Sequence, residues 1–160
     1  MELKNKFMQG KKDLVQNRCK IITSNIERQI TKYDENKNDH FKRYYNLRDK
    51  LSRAISVLTA QGVDVTTLTS DLAQLEDLLA KFSTDYAAFI DSLKNTQNFG
   101  CGTSDGEFSA ALETSRTKLA TLRQDALEIR NFYKDTIKTH ILEIRRELSK
   151  LKEDKSNGTE

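Results

Sequence analysis

Proline and tryptophan are absent from the chain, and glycine is scarce, with six in 160 residues. Without these breakers helices can run long. Long apolar runs are missing as well, so nothing is expected to span a membrane. Two cysteines and two distant histidines, with no CxxC or HxxxH spacing, cannot supply a four-ligand metal set, and no metal or cofactor is expected. No nucleophile–base pair, paired-carboxylate site or phosphate loop is visible. Gly100, Gly102 and Gly106 spell GxGxxxG, but they follow a helical pattern rather than a strand, so the nucleotide reading fails. An enzyme acting on a small-molecule substrate is therefore not expected. Met1-Glu2-Leu3-Lys4 opens directly into charged sequence, with no signal peptide in view.

What is present is charge and helix former. Charged residues make up 32% and apolar residues 36%, which suits a slim bundle whose helices each bury a narrow stripe. The net charge of +3 is too small to dictate an anionic partner, but it is unevenly spread. Residues 1–33 carry eight Lys/Arg against three acids, and residues 64–95 carry two Lys against six acids. Side-by-side packing of a basic first helix on an acidic second accounts for this. Nucleic acid is not the expected partner, because groove-reading motifs and aromatic interleaving are absent.

The apolar periodicity predicts three helices, about 12–60, 65–97 and 105–152. Residues 1–14 read as a basic, frayed segment, 15–152 as a single bundle and 153–160 as a disordered tail. In the first helix a seam runs Val15, Cys19, Ile22, Ile26, Ile30, Tyr33, Lys37, His40, Tyr44, Leu47, Leu51, Ala54, Leu58, mostly at coiled-coil spacing. The polar stretch 34–39 is its weak point, yet the seam keeps phase across it. Gly62 suits a helix C-terminus and Asp64 the next N-cap, which makes a tight antiparallel hairpin. The second helix repeats Leu68, Leu72, Leu75, Leu79, Phe82, Tyr86, Phe89, Leu93 without a miss. The third carries Phe108, Leu112, Ser115, Leu119, Leu122, Ala126, Ile129, Tyr133, Ile137, Ile141, Ile144, Leu148 and Leu151, opened by a Ser104–Glu107 capping box. The fold class is all-α, an elongated antiparallel three-helix bundle with coiled-coil packing.

The glycine-rich loop between the second and third helices carries Cys101; Cys19 lies on the first-helix seam. The pair can be buried thiols or a disulfide, and geometry favours the disulfide. Counted back from the hairpin, Thr96 falls opposite roughly residue 30, leaving Cys19 ~15 Å further along by helical rise. An extended loop from Asn98 covers most of that span. Closing some 80 residues stabilises by roughly 4 kcal/mol in the chain-entropy account. A disulfide implies an oxidising compartment, hence an extracytoplasmic protein whose signal peptide is absent from this sequence, with a cytoplasmic location as the alternative.

Arg18-Cys19, Asn36-Lys37 with His40, Gly62-Val63-Asp64-Val65, Cys101-Gly102 with Ser104, Gly106 and Phe108, and Ile129-Arg130-Asn131-Phe132 form a pattern over about residues 15–147. It resembles a group of uncharacterised secreted helical coiled-coil proteins from small-genome candidate-phylum bacteria. The resemblance implies export, two co-occurring cysteines and no enzyme activity.

Lys37 and His40 stand at seam positions. A polar core layer is expected there, with Lys37 paired to Asp91 and His40 bonding to Thr84, Tyr86 or Thr117. Off-seam Phe41, Tyr45 and Phe132 are candidates for an exposed contact patch. The expected function is a structural or protein-interaction coiled-coil protein, stapled by Cys19–Cys101 and able to self-associate through the ends that overrun the bundle. The alternative is a surface-binding module using the basic N-terminal third on anionic lipid or nucleic acid.

Overall fold

The computed structural model describes the backbone of residues 2–157 and the side chains of residues 4–150. All regular structure among them is helical. Helix α1 (Glu2–Ala60) runs unbroken through Gly10 and through the polar stretch 34–39. Helix α2 (Thr66–Asn95) closes in a single 3₁₀ turn, Thr96–Asn98. Helix α3 (Glu107–Asn131) passes through a π-helical stretch, Phe132–Ile137, into α4 (Lys138–Asn157), and these three together form the third helix of the chain. Of the tail expected at 153–160, the backbone is helical as far as Asn157, and residues 158–160 lie outside the described ones.

The α1–α2 turn follows from its residues. Gly62 has φ +76°, its amide donates to Thr59 O and the Val63 amide to Leu58 O, so two end carbonyls of α1 are satisfied. Asp64 then accepts from the Thr66 amide at 2.9 Å and its hydroxyl at 2.7 Å, capping α2. These two bonds hold the exposed Asp64 carboxyl below its usual pKa.

The chain divides into two compact units, one from residues 1–40 and 84–122, the other from 41–83 and 123–160. In the first unit, Ile26 of α1, Tyr86, Phe89, Ile90 and Leu93 of α2, and Phe108, Ala111 and Leu122 of α3 are buried. Tyr33 stands edge-on to Phe89 and, seven residues on, His40 lies beside Tyr86, so α1 and α2 run antiparallel here; Lys94 also reaches Asp34 at 3.1 Å. In the second unit, Leu51, Leu68, Leu75, Leu79, Phe82, Ile129 and Ile137 form the core. Each fully buried aliphatic side chain contributes about 1.5–3 kcal/mol.

The π-helical stretch corrects the third-helix seam. Lys138 donates back five residues to Tyr133 O. Ile129 and Ile137 are both buried, yet eight residues of α-helix would rotate about 80° past two full turns. The wider π turn absorbs that excess. In consequence Tyr133, expected on the seam, is exposed at its rim, while Phe132 turns half-buried.

Ile137→Ala should therefore cost about 2–5 kcal/mol of unfolding free energy, whereas Leu127→Ala, at a half-exposed position, should cost less than about 0.5. Urea titration followed by circular dichroism measures both.

Candidate functional site

Helix α2 ends with Thr96, wholly buried, its hydroxyl donating to Leu93 O at 2.7 Å. The chain then extends at Phe99 (φ −115°, ψ 136°) and runs to Cys101. The Cys101 and Cys19 sulfurs lie 2.11 Å apart, at disulfide-bonding distance, with 5.5 Å between their Cα atoms and a sequence separation of 82. Gly102 follows at φ +79°, and a Cβ there would meet Val15 Cγ1 at 3.1 Å and Cys19 Sγ at 3.4 Å. Only glycine passes this close to α1 with that backbone.

The start of α3 differs from the expected capping box. Asp105 (φ +42°) and Gly106 (φ +92°) are left-handed, which delays the helix to Glu107. The Ser104 hydroxyl accordingly accepts from the Phe108 amide at 3.1 Å, one residue later than a capping box requires.

Helix α2 ends at residue 95, and α3 starts at residue 107 on the anchored loop. Every side chain from Lys4 to Arg18 is exposed. Phe7 at 64%, Ile21 at 62% and Leu14 at 55% exposure are among the most open large apolar groups. Lys11 stands 4.8 Å over the Phe7 ring. Beside the cystine, Met8, Lys11, Val15 and Gln16 on one side and Gly102 and Thr103 on the other border an open groove of about 930 Å³.

The expected polar layer is not a core layer. Lys37, His40 and Asp91 are all exposed, and no ion pair joins Lys37 to Asp91 among the described residues. Asp91's neighbour by one turn, Lys94, pairs instead with Asp34, both half-exposed. The physical reason is the path of the α1 seam, which passes through half-buried Asn36 and Phe41 rather than Lys37 and His40. His40 lies at a ring distance of 6.3 Å from Tyr86, whose hydroxyl donates to Tyr33 O at 2.7 Å. The contact patch is corrected likewise. Phe41 is half-buried edge-on to Phe82, Phe132 is half-buried, and only Tyr45 stays open, stacked on Phe41 and under Arg48.

The buried polar groups lie elsewhere, in the second unit. Asp71, 5% exposed, meets His140 with Nδ1 to Oδ2 at 2.7 Å. Asp125, 2% exposed, takes an ion pair from Lys81. Both aspartates have the same signal in sequence, an acid placed three residues after one buried aliphatic and four before the next: Leu68-Asp71-Leu75 and Leu122-Asp125-Ile129. Among the described residues no cluster of three or more His, Cys, Asp or Glu could hold a metal ion. Among the described residues no helix is long and apolar enough to cross a membrane.

Comparison with protein-family models, curated proteins and solved structures gives no match.

Two measurements probe these polar contacts. His140→Ala should destabilise by about 1–3 kcal/mol by stranding a buried carboxylate, while replacing both Asp71 and His140 by leucine should cost much less. Burial, with Tyr33 and Asp34 adding to it, pushes the Tyr86 hydroxyl up to about 12 from its usual 10.0. The folded chain thus keeps this proton while the unfolded chain loses it, and stability falls as pH rises from 10 to 12. Tyr86→Phe should lose less stability across that window in the same denaturation assay.

Proposed function

We propose that this chain is a non-enzymatic, extracytoplasmic structural and protein-interaction protein, an antiparallel three-helix bundle with coiled-coil packing closed by a Cys19–Cys101 disulfide. The observation that carries this reading is the start of α1, where Phe7, Met8, Leu14 and Val15 are all about half exposed or more in one helical segment. Apolar residues repeated along an exposed helical segment are a surface for another molecule. The sulfurs at bonding distance support the oxidising compartment, and the loop they anchor supports a fixed wall beside that surface. Contacts at both core units (Tyr33 on Tyr86 and Phe89 in one, Phe41 and Tyr44 on Phe82 in the other) support bundle packing.

The test is the state of the two cysteines in protein collected from an oxidising compartment. Mass measured with and without reductant should differ by about 2 Da, the two hydrogens of a reduced cystine. Reduction should lower stability by roughly 4–5 kcal/mol in the entropy account. An unchanged mass removes the extracytoplasmic reading.

A further inference from the structure

The exposed start of α1 is patterned more finely than a simple amphipathic helix. Lys4, Lys11 and Arg18 recur every seven residues and so form one column. Each is followed at i+3 and i+4 by an apolar pair: Phe7 and Met8, Leu14 and Val15, Ile21 and Ile22. Residues at those spacings share a face, so the cation column runs up the middle of an apolar arc. All members but Ile22 are exposed. From Lys4 to Ile21 the segment holds six cations and a single acid, Asp13.

We infer that this face is the docking site for an acidic amphipathic helix of a partner protein. Resting on the protein-interaction reading above, the inference names the class of partner. A row of carboxylates on that helix would meet Lys4, Lys11 and Arg18, and its apolar row would cover Phe7, Leu14 and Ile21. Met8, Val15 and the Gly102–Thr103 wall border the groove that receives its other side. A bilayer fits this pattern poorly. Lipid-bound helices keep cations on the flanks of the apolar face, and here the deepest line of the face would carry three of them. A second copy fits poorly too, since two such faces would oppose cation to cation.

The experiment uses the full chain, oxidised, and two synthetic three-heptad helical peptides. One has leucine at one seam position and glutamate at the other and at its flanks; the control has lysine in place of every glutamate. Calorimetric titration should show binding of the glutamate peptide and none of the lysine peptide. The double variant Lys11→Glu, Arg18→Glu should weaken the glutamate peptide by about tenfold or more and gain affinity for the lysine peptide. Both substitutions are at exposed positions with good helix formers, and circular dichroism confirms unchanged helicity. Equal binding of the two peptides, or indifference to the charge reversal, overturns the proposal. So does stronger association with vesicles of phosphatidylcholine containing about a third phosphatidylserine, lost on charge reversal, which assigns the face to lipid. A concentration-dependent dimer by light scattering, abolished by Leu14→Ser, overturns it in favour of a second copy. The cysteine mass is read on the same sample. Free thiols remove the extracytoplasmic reading whatever the peptides do, and peptide failure beside an intact disulfide removes only the acidic-helix partner.

Discussion

The stripe along α2 is the constraint the other elements answer to. Leu68, Leu75, Leu79, Phe82, Tyr86, Phe89 and Leu93 are buried along its length, and removing that surface from water is the main favourable term available to a chain only 36% apolar. In one unit the stripe receives Tyr33 of α1, on Tyr86 and Phe89; in the other it receives Phe41 and Tyr44 of α1, on Phe82. A helix with one buried stripe needs few specific contacts to form but many to stay in register. The polar groups set into the stripe supply them. Asp71 meets His140, and the Tyr86 hydroxyl donates to Tyr33 O; a slip of one turn would break both contacts.

Periodicity made most of the apolar stripe of α2 legible and made α1 legible up to the choice between adjacent positions. The seam through α1 needed a step of three or four after Tyr33, and both Asn36 and Lys37 satisfied the template. Burial of Phe41 against Phe82 decides between them, and an aromatic ring 5.6 Å from another outweighs a histidine or lysine in the same slot. That single preference moves Lys37 and His40 to the surface and Phe41 inward. It overturns the polar layer and most of the contact patch together. The two buried aspartates were hidden by the same ambiguity. Leu72 and Ala126 offered apolar residues one position on, and a pattern of apolar letters passes over an acid that is inside because it is paired.

The third helix shows what an uneven spacing means physically. Ile129, Tyr133, Ile137 and Ile141 stand at three successive steps of four, more than an α-helix can hold on one face. The backbone could drift around its axis or widen its pitch, and it widens between Phe132 and Ile137. Burying Ile129 and Ile137 together is worth more than one regular turn, and the cost is borne by Tyr133, which goes to the rim.

Placement of the loop decides what α1 leaves uncovered. Left-handed Asp105 and Gly106 push the start of α3 two residues beyond a capping box, and the approach of Gly102 to Val15 fixes where the loop meets α1. Beyond that contact the helix continues toward its N-terminus with apolar residues still at seam spacing, and every side chain from Lys4 to Arg18 is exposed. Solubility alone would favour polar residues at Phe7, Leu14 and Ile21, since an exposed helix gains nothing from them. Two uses of charge stand side by side in one chain: in the second unit carboxylates are buried with a paired side chain, while in the first unit Lys4, Lys11 and Arg18 stay exposed among Phe7, Leu14 and Ile21.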